Sequence, residues 1–436
     1  MSSKLVHRKA VQKIRFIDSE GNILSNTSVK IKLMNHQFLF GCGAFDSLPA
    51  TSEVDMKKID FYHDKKMPEK SFFKDRIDKW LEVFNYGTIP FYWGGFEPKE
   101  GEILTDSRMR AAKMLQKNHV KVKGHPLCWH TACADWLMDY DNATILQKQL
   151  DRIHRDVTAF RGVVDMWDVI NEVVIMPVYD RYDNAITRIC KDLGRVRLVK
   201  EVFEAAKAAN PDAILLINDF NLSESYRILI DGCLNAGVPI SAIGIQTHQH
   251  QGYMGQKKLE DILERFSTFG LPLHFTENTL LSGNIMPADI VDLNDYQVDE
   301  WPSTPEGEER QKKEWAEMYR ILFEHPLVEA ITGWDFADGA WLGAPSGLIR
   351  KDNTTKPAYH ELKRLIHEEW HTEDELRTDE NGNITLEGFK GEYEIALQGK
   401  TINFYLNGNS NDDVIEITIH TIPNIAKQMG MLKYIK

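Results

Sequence analysis

The sequence predicts an α/β protein of the (β/α)8, or TIM-barrel, class, and three observations lead to this prediction. Eight short apolar runs alternate with eight longer amphipathic stretches between residues 36 and 370. Two of the runs end in a glutamate, at Glu172 and Glu277, and barrel enzymes carry their catalytic side chains at the C-terminal ends of strands. A doubly wound open sheet is the alternative arrangement, but it usually carries a glycine-rich nucleotide loop, and none is visible.

Residues 1–35 are predicted to form a strand pair ahead of the barrel. Residues 11–17 and 29–33 each alternate between apolar and polar side chains, which is typical of half-buried strands. The turn-forming segment 18–22 lies between them, as in a hairpin.

The barrel itself is predicted from two periodicities. Its strands are expected at 38–44, 86–93, 120–130, 164–173, 214–220, 242–248, 273–280 and 330–338. Its helices are expected at 72–84, 106–118, 142–160, 192–209, 223–236, 257–268, 307–324 and 357–368. In the first helix Phe73, Ile77, Trp80 and Phe84 recur at the spacing of one buried helical face.

After Trp370 the composition becomes more acidic and then breaks into short alternating runs. Strands are expected at 384–386, 392–397, 401–406 and 414–420. The chain is therefore predicted to have three parts: an N-terminal strand pair over 1–35, a barrel over 36–370 and a small β appendage over 371–436.

Composition excludes several classes of partner. The 436 residues are 42% hydrophobic and carry a net charge of −13, which argues against nucleic acid and anionic membranes as partners. No apolar run approaches the length of a membrane span. The start lacks the apolar stretch of a signal peptide, which predicts a cytoplasmic protein; a secreted chain whose signal has been removed is the alternative. The five cysteines are scattered and odd in number, so a disulfide framework is not expected.

The two glutamates suggest a specific chemistry. Glu172 ends the run Trp167-Asp168-Val169-Ile170-Asn171-Glu172, and Glu277 lies near the end of another run. A carboxylate at the buried end of a strand costs free energy unless something there pairs or uses it. Two such carboxylates at one end of a barrel are what a retaining glycosidase requires, one to attack the sugar and one to protonate the leaving oxygen. A structural salt-bridge role for both is the less favoured alternative.

Other polar and aromatic side chains follow the same strand ends. Asn171 is suited to bind the sugar 2-hydroxyl, and His248 to orient the Glu277 carboxylate. The third strand ends with His125, Trp129 and His130. These histidines, with His248 and His250, raise the alternative of a metal site. Hydrogen bonding to sugar hydroxyls is preferred, because no carboxylate stands at ligand spacing from them, and no metal or cofactor is expected.

These motifs, in this order, resemble glycoside hydrolase family 10, the β-1,4-xylanases, over roughly residues 36–370. The matching segments are Gly124-His125 with Trp129-His130, 167–172, 218–221, 244–248, 275–277, Trp334 with Trp341, and 356–359. The resemblance implies a (β/α)8 barrel, retention without a cofactor, Glu172 as acid/base and Glu277 as nucleophile. It also implies sugar contacts from His125, Trp129, Asn171, Gln246, His248, Trp334 and Trp341, to which we add Tyr92 and His130 as candidates.

The sequence also departs from the family pattern. The family carries a Glu-Asn-x-x-Lys group at the end of the second strand, and here the same place reads Thr88-Ile89-Pro90-Phe91-Tyr92. The glutamine that follows Trp129-His130 in the family is replaced by Ala132. Loss of polar groups built for particular hydroxyls changes discrimination strongly. A long loop, 281–305, with Tyr296 and Trp301, leaves the Glu277 strand and is a candidate wall or cap for the site; a simple surface insertion is the alternative.

The leading hypothesis is therefore a retaining glycosidase that cleaves β-1,4-xylosidic bonds in xylan or xylo-oligosaccharides, with a β-linked oligo- or polysaccharide as its partner molecule. The same chemistry on another β-glycoside, with exo action as one form of it, is the alternative that the replaced residues suggest. A non-catalytic carbohydrate-binding barrel and a metal-dependent hydrolase are weaker alternatives.

Overall fold

The structure, a computed structural model, describes residues 3–52, 68–408 and 410–419. Residues Leu39–His367 form one compact unit, and the described residues on either side of it form a second. All five cysteines are free thiols. Over the described residues, no helix combines the length and the apolar character that crossing a membrane would need.

The larger unit is the predicted (β/α)8 barrel. Its eight strands are β3 (Leu39–Gly43), β4 (Tyr86–Pro90), β5 (Lys121–His125), β6 (Met166–Asn171), β7 (Ile214–Asp219), β8 (Ala242–Gln249), β9 (Leu273–Leu280) and β10 (Val328–Gly333). Each strand pairs in parallel with the next, and β10 pairs with β3 to close the barrel. The eight predicted apolar runs are these eight strands, so the fold class is confirmed.

Helices connect the strands on the outside of the barrel. They are α1 (Ser47–Thr51), α2 (Lys70–Leu81), α3 (Trp93–Phe96), α4 (Thr105–Lys117), α5 (Asn142–Phe160), α6 (Ala185–Leu193), α7 (Arg195–Ala209), α8 (Glu224–Asn235), α9 (Gly255–Ser267), α10 (Pro305–Glu324) and α11 (Pro357–Arg364). The stretch predicted as one helix over 192–209 is instead divided at Gly194, whose φ of 77° ends α6 before α7 begins.

The barrel interior changes character along its axis. Near the N-terminal ends of the strands it is filled by an apolar layer of one residue from each of six strands: Leu39, Tyr86, Met166, Leu216, Ala242 and Ala330. Polar side chains take over at the C-terminal ends, where β6, β7 and β8 carry Asn171, Asn218 and Gln246, all buried. Because all strands are parallel, these polar ends meet at one mouth of the barrel.

The second unit combines strands from both ends of the chain. Its strands are β1 (Lys9–Asp18), β2 (Ser28–His36), β11 (Glu373–Arg377), β12 (Asn383–Phe389), β13 (Gly391–Leu397), β14 (Lys400–Leu406) and β15 (Ser410–Ile419). They form one sheet in the order β12-β1-β15 and another in the order β11-β2-β13-β14.

The prediction of an N-terminal strand pair needs correction. Both strands are present, but β1 and β2 lie in different sheets, and the isolated bridge that β1 makes from Ile17 reaches Ile23, in the segment between the two strands. β1 pairs with β12 and β15, and β2 pairs with β11 and β13. Alternation of apolar residues identifies a strand but not its partner, and here the partners lie more than 330 residues away along the chain.

Candidate active site

Glu172 stands at the turn that follows β6. Its φ is +56°, a left-handed conformation that costs a non-glycine residue free energy and that is often found at functional sites. The turn is fixed by its backbone N–H, which donates to the Asn218 carbonyl at 2.8 Å. The carboxyl accepts from Trp129 Nε1 at 2.9 Å and from Asn171 Nδ2 at 3.2 Å.

Glu277 lies within β9 and is buried, with 3% of its surface exposed. Its Oε1 accepts a hydrogen bond from Asn218 Nδ2 at 2.8 Å, and its Oε2 lies 3.1 Å from His248 Nε2. His125 Nδ1 is 3.8 Å from the same Oε1. The carboxylate is therefore contacted from three other strands of the barrel, β5, β7 and β8.

A chain of amides connects the two carboxyl groups. Asn218 Nδ2 donates to Asn171 Oδ1 as well as to Glu277, both at 2.8 Å. Asn171 Oδ1 also accepts from Gln246 Nε2 at 2.9 Å, and Asn171 Nδ2 reaches Glu172. A hydrogen-bonded path thus runs from Glu172 through Asn171 and Asn218 to Glu277.

Asn218 can occupy this central position because of what surrounds it. Its Oδ1 accepts from Thr276 Oγ1 at 2.6 Å, which fixes the amide so that its nitrogen faces the two acceptors. The adjacent strand has Gly244 beside it, where an added Cβ would lie 2.4 Å from Asn218 Oδ1. A glycine is therefore required there to leave room for the amide.

The pKa of Glu172 is raised to about 8. Burial is the largest cause, and the negative charge of Glu277 adds to it, partly offset by the hydrogen bond from Trp129. This interaction agrees with the hydrogen-bonded path through Asn171 and Asn218 that connects the two carboxyl groups. With a pKa of about 8, Glu172 is mostly protonated at neutral pH.

His125 is held by a buried ion pair beneath it. Its Nδ1 lies 2.7 Å from Asp168 Oδ2, and Lys123 Nζ lies 2.6 Å from the same oxygen. Burial alone would raise the pKa of Asp168, but the charge of Lys123 and the hydrogen bond from His125 outweigh it and lower the pKa. The ionised Asp168 fixes a hydrogen on Nδ1 of His125 and leaves Nε2 free for a ligand.

Aromatic rings surround the polar groups. Trp334 packs edge-on against His125, with centroids 5.2 Å apart, and also against Phe45 at 5.2 Å. Trp341 lies 4.6 Å from the His248 ring. On the other flank, Trp129 lies 5.5 Å from Tyr92. Flat apolar rings beside hydrogen-bonding groups are suited to bind the faces and edges of sugars.

The structure therefore brings most of the sequence-predicted site residues together. Contacts with the two glutamates or with their direct neighbours are made by His125, Trp129, Asn171, Gln246, His248, Trp334, Trp341 and Tyr92.

His130 has a different environment. Its ring is buried against Tyr179, with centroids 4.4 Å apart, and its carbonyl accepts from Tyr182 Oη at 3.3 Å. Burial lowers its pKa to about 4. Its contacts support the loop after β6 rather than the carboxyl groups.

The residues that depart from the family pattern also lie at the barrel mouth. Thr88 and Ile89 are fully buried in β4, and Phe91 packs into a cluster with Phe96, Phe160 and Trp167. Of the segment 88–92, only Tyr92 reaches the aromatic wall beside His125, at 5.6 Å. The end of β4 thus presents an aromatic ring to the site and no charged side chain from this segment.

The sequence analysis assigned no individual role to two residues of the site, Asn218 and Lys123. Asn218, the centre of the amide chain, pairs in register with Asn171 on the next strand, and this matched position was a usable signal. Lys123 has no local signal, because an alternating strand residue is ordinarily exposed. Within the described ranges, no three histidine, cysteine, aspartate or glutamate side chains form a group that could hold a metal ion.

Comparison with known proteins places this site in a family. Endo-1,4-beta-xylanase B of Thermotoga neapolitana is 29% identical over 299 residues, covering 63% of this chain and 78% of that protein. The endo-1,4-beta-xylanase/feruloyl esterase of Xylanibacter ruminicola is 26% identical over 306 residues, and the chain spans only 40% of it. The structure of xylanase 10B from Thermotoga petrophila in complex with xylobiose superposes with a TM-score of 0.59 at 21% identity, covering 76% of this chain and 95% of that one.

The similarity to the Thermotoga petrophila structure shows only a shared fold, because the sequence identity is low. Membership follows from the sequence profile: residues 91–365, which include both glutamates and the whole amide chain, match the model of glycosyl hydrolase family 10. The chain belongs to glycosyl hydrolase family 10.

Proposed function

We propose that the protein hydrolyses β-1,4-xylosidic bonds in xylan or xylo-oligosaccharides with retention, by a double displacement that uses Glu172 and Glu277. The observation that carries the proposal is the pair of carboxyl groups linked through Asn171 and Asn218, one of which, Glu172, has a pKa raised by burial and by the charge of Glu277. The mechanism requires one carboxyl group that can donate a proton and a second that attacks the sugar.

In the first step an oxygen of the Glu277 carboxylate forms a bond to the anomeric carbon while the glycosidic C–O bond breaks. The proton of Glu172 passes to the departing oxygen. Asn218 and His248 hold the Glu277 carboxylate in place for attack, and this positioning lowers the entropic part of the barrier.

In the second step the carboxylate of Glu172 takes a proton from water, and the water oxygen bonds to the anomeric carbon as the Glu277 ester bond breaks. The change of role follows from the charges. Glu277 raises the pKa of Glu172 while it is ionised, and that contribution disappears once Glu277 is esterified. Glu172 then becomes a stronger acid and is ready to act as a base.

The xylan assignment rests on the relatives. Proteins described as endo-1,4-beta-xylanases are similar to this chain, and residues of the family motif are present at the corresponding positions. His125, whose Nε2 is kept free by Asp168, and the indoles of Trp334 and Trp341 support a site for one pyranose ring beside Glu277.

A second candidate is the same chemistry on a different β-linked glycan. It is favoured by the aromatic and buried residues at 88–92, which replace carboxylate, amide and ammonium groups. A product profile across xylan, xylo-oligosaccharides and aryl β-glycosides of several sugars separates the two candidates. Strong preference for a sugar other than xylose would select the second.

The catalytic roles are tested by two variants. Glu277→Ala should lower turnover by on the order of 10³-fold or more on every substrate, because no covalent intermediate forms. Glu172→Ala should affect natural glycosides far more than aryl glycosides with good leaving groups, which need little protonation. Glu380→Ala, an exposed glutamate of the other unit, is the control. Equal losses on both substrate types in Glu172→Ala would contradict the assigned role.

A further inference from the structure

The loops that leave the two glutamate strands are joined to each other by one arginine. Arg181, in the loop after β6, places Nε 2.7 Å from Asp292 and makes a two-pronged contact with Asp295, Nη1 to Oδ1 and Nη2 to Oδ2, each at 2.8 Å. Both aspartates belong to the long loop after β9. We refer to Arg181, Asp292 and Asp295 as the Arg181 bridge.

The arginine is held on a rigid support. Tyr179 and Tyr182, on either side of it, pack edge-on against each other with centroids 5.2 Å apart. Both contact His130, Tyr179 through its ring and Tyr182 through its hydroxyl. The loop therefore presents Arg181 from a fixed position at the barrel mouth.

The aspartates are fixed equally well. Asp292 accepts from the backbone and side chain of Asn294, at 2.9 and 3.0 Å, which forms a tight turn that carries both carboxylates. Leu281, Met286 and Trp301 of the loop form an apolar cluster with Ala344 from the segment after β10. Its base is closed by Ser282 and Ser303, whose hydroxyls lie 2.7 Å apart. A surface insertion without a role would not need such support.

The bridge has a geometry that usual surface ion pairs lack. Most exposed pairs contribute little, because long side chains must be ordered and water screens the charges. Here one guanidinium meets two carboxylates, one of them in the two-pronged geometry that adds both energy and direction. The hydrogen bond to Asp295 raises the pKa of Arg181, and the same contact lowers the pKa of Asp295.

The bridge spans two other strands. In the barrel order, β7 and β8 lie between β6 and β9, so a link between the loops after β6 and β9 passes beside the ends of both. The long loop is also fastened to the end of β8, where Gln251 Nε2 donates to the carbonyls of Pro287 and Ile290 at 2.9 and 2.7 Å. The loops after β6, β8 and β9 are thus joined by a continuous series of contacts on the β7–β8 side of the barrel mouth.

We propose that the Arg181 bridge restricts this half of the site to a chain end, so that the enzyme acts on short oligosaccharides and glycan ends rather than on the interior of a polymer. The inference rests on the proposed function. In this proposal a glycan bound between Glu172 on β6 and Glu277 on β9 leaves the site on the side of β7 and β8, the two strands that lie between them. The interior of a long chain cannot enter sideways beneath a closed connection, whereas a free end can thread into it.

The test compares polymer cleavage with small-substrate cleavage. For each protein, kcat/KM on soluble xylan is divided by kcat/KM on an aryl β-xyloside, and viscosity loss is recorded per reducing end released. Arg181→Ala should raise both quantities severalfold, and so should the double variant Asp292→Asn with Asp295→Asn. Arg161→Ala removes an exposed ion pair with Asp212 elsewhere on the barrel and should leave both unchanged. Unchanged values in the two bridge variants would overturn the proposal.

Hydrogen exchange over residues 287–298 provides a measurement that does not depend on activity. Protection of these amide hydrogens should fall in both bridge variants and stay constant in Arg161→Ala. Constant protection in all three variants would show that the bridge does not hold the loop, and would overturn the proposal. If the unaltered protein cleaves no glycoside, the proposed function fails. The effect of the bridge on xylan binding is then measured by the retention of each protein during electrophoresis in xylan-containing gels. Retention should be greater for Arg181→Ala than for the unaltered protein, and equal retention of the two proteins would refute the proposed restriction.

Discussion

Asn218 Nδ2 lies 2.8 Å from Glu277 Oε1, so an amide on β7 is fixed against a carboxylate two strands further around the barrel. The same nitrogen satisfies Asn171 on β6. One side chain therefore sets the relative position of the strand ends that carry the two glutamates, although it belongs to neither of them.

Asn218→Ala should lower kcat by about a hundredfold, because the loss of one preorganised donor in an active site typically costs this much. KM should change little if the amide acts on the carboxylates rather than on ground-state substrate. Steady-state kinetics on an aryl β-xyloside measure both parameters. Asn235→Ala, an exposed amide on α8, is the control, and a loss confined to KM would contradict the role assigned to Asn218.

Gly244→Ala should reduce both activity and stability. The added methyl group would lie 2.4 Å from Asn218 Oδ1, and overpacking of this kind costs roughly 1–3 kcal/mol. Gly232→Ala on α8 meets only an ordinary contact with Val196 at 3.5 Å and should be neutral or stabilise the helix by up to about 1 kcal/mol. Urea unfolding of the two variants gives the comparison, and equal stabilities would refute the packing argument.

The pH dependence should show an alkaline limit set by Glu172. The pKa of this group is raised to about 8 and the reaction needs it protonated, so kcat/KM should be retained below that pH and fall as the pH rises through it. In Glu172→Gln the residual activity on a good leaving group should lack this limb. If the fall in activity at alkaline pH persisted unchanged in this variant, the group that titrates there would not be Glu172.

The same shift predicts an effect on stability. Because the pKa of Glu172 is higher in the folded protein than its ordinary value of 4.5, the folded state binds more protons than the unfolded state between these values, and the stability contribution falls as the pH rises from about 4.5 to about 8. Glu172→Gln should therefore gain in Tm relative to the unaltered protein at pH 9 more than at pH 5. A gain that is independent of pH would contradict the titration.

Asp168→Asn should be strongly destabilising. Lys123 and Asp168 are both fully buried with 2.6 Å between their charged atoms, and removal of one partner from such a pair typically costs about 3–5 kcal/mol. Asp212→Asn, which breaks the exposed pair with Arg161, should stay within about 0.5 kcal/mol. Denaturant midpoints of both variants test this, and a small effect for Asp168→Asn would show that Lys123 finds other compensation.

The barrel could be predicted because its signals are local. Apolar runs that end in polar residues identify parallel strands, and the two glutamates follow from the cost of leaving a carboxyl group at a buried strand end. The pairing of β1 with β12 and β15 could not be predicted in the same way, since it joins segments at opposite ends of the chain. The burial of Lys123 could not be predicted for the same reason. It depends on the ion pair with Asp168 on the adjacent strand, and the order of residues along the chain does not show that pairing.

The Arg181 bridge shows a further limit of sequence patterns. The loop after β9 was recognisable by its length and its aromatic residues, but an arginine more than one hundred positions away decides where its tip is held. Charged side chains in loops carry no periodicity, so their partners emerge only from the assembled barrel.

The shared sheets of the two chain ends have a consequence for biosynthesis. β1 and β2 leave the ribosome before the barrel, whereas their hydrogen-bonding partners β11, β12, β13 and β15 are translated only after it. Their edges remain open throughout synthesis, at a stage when unpaired strand edges favour aggregation. A chain shortened from the C-terminal side would keep its barrel residues but leave these first strands permanently exposed, so truncation there should reduce yield before it reduces activity.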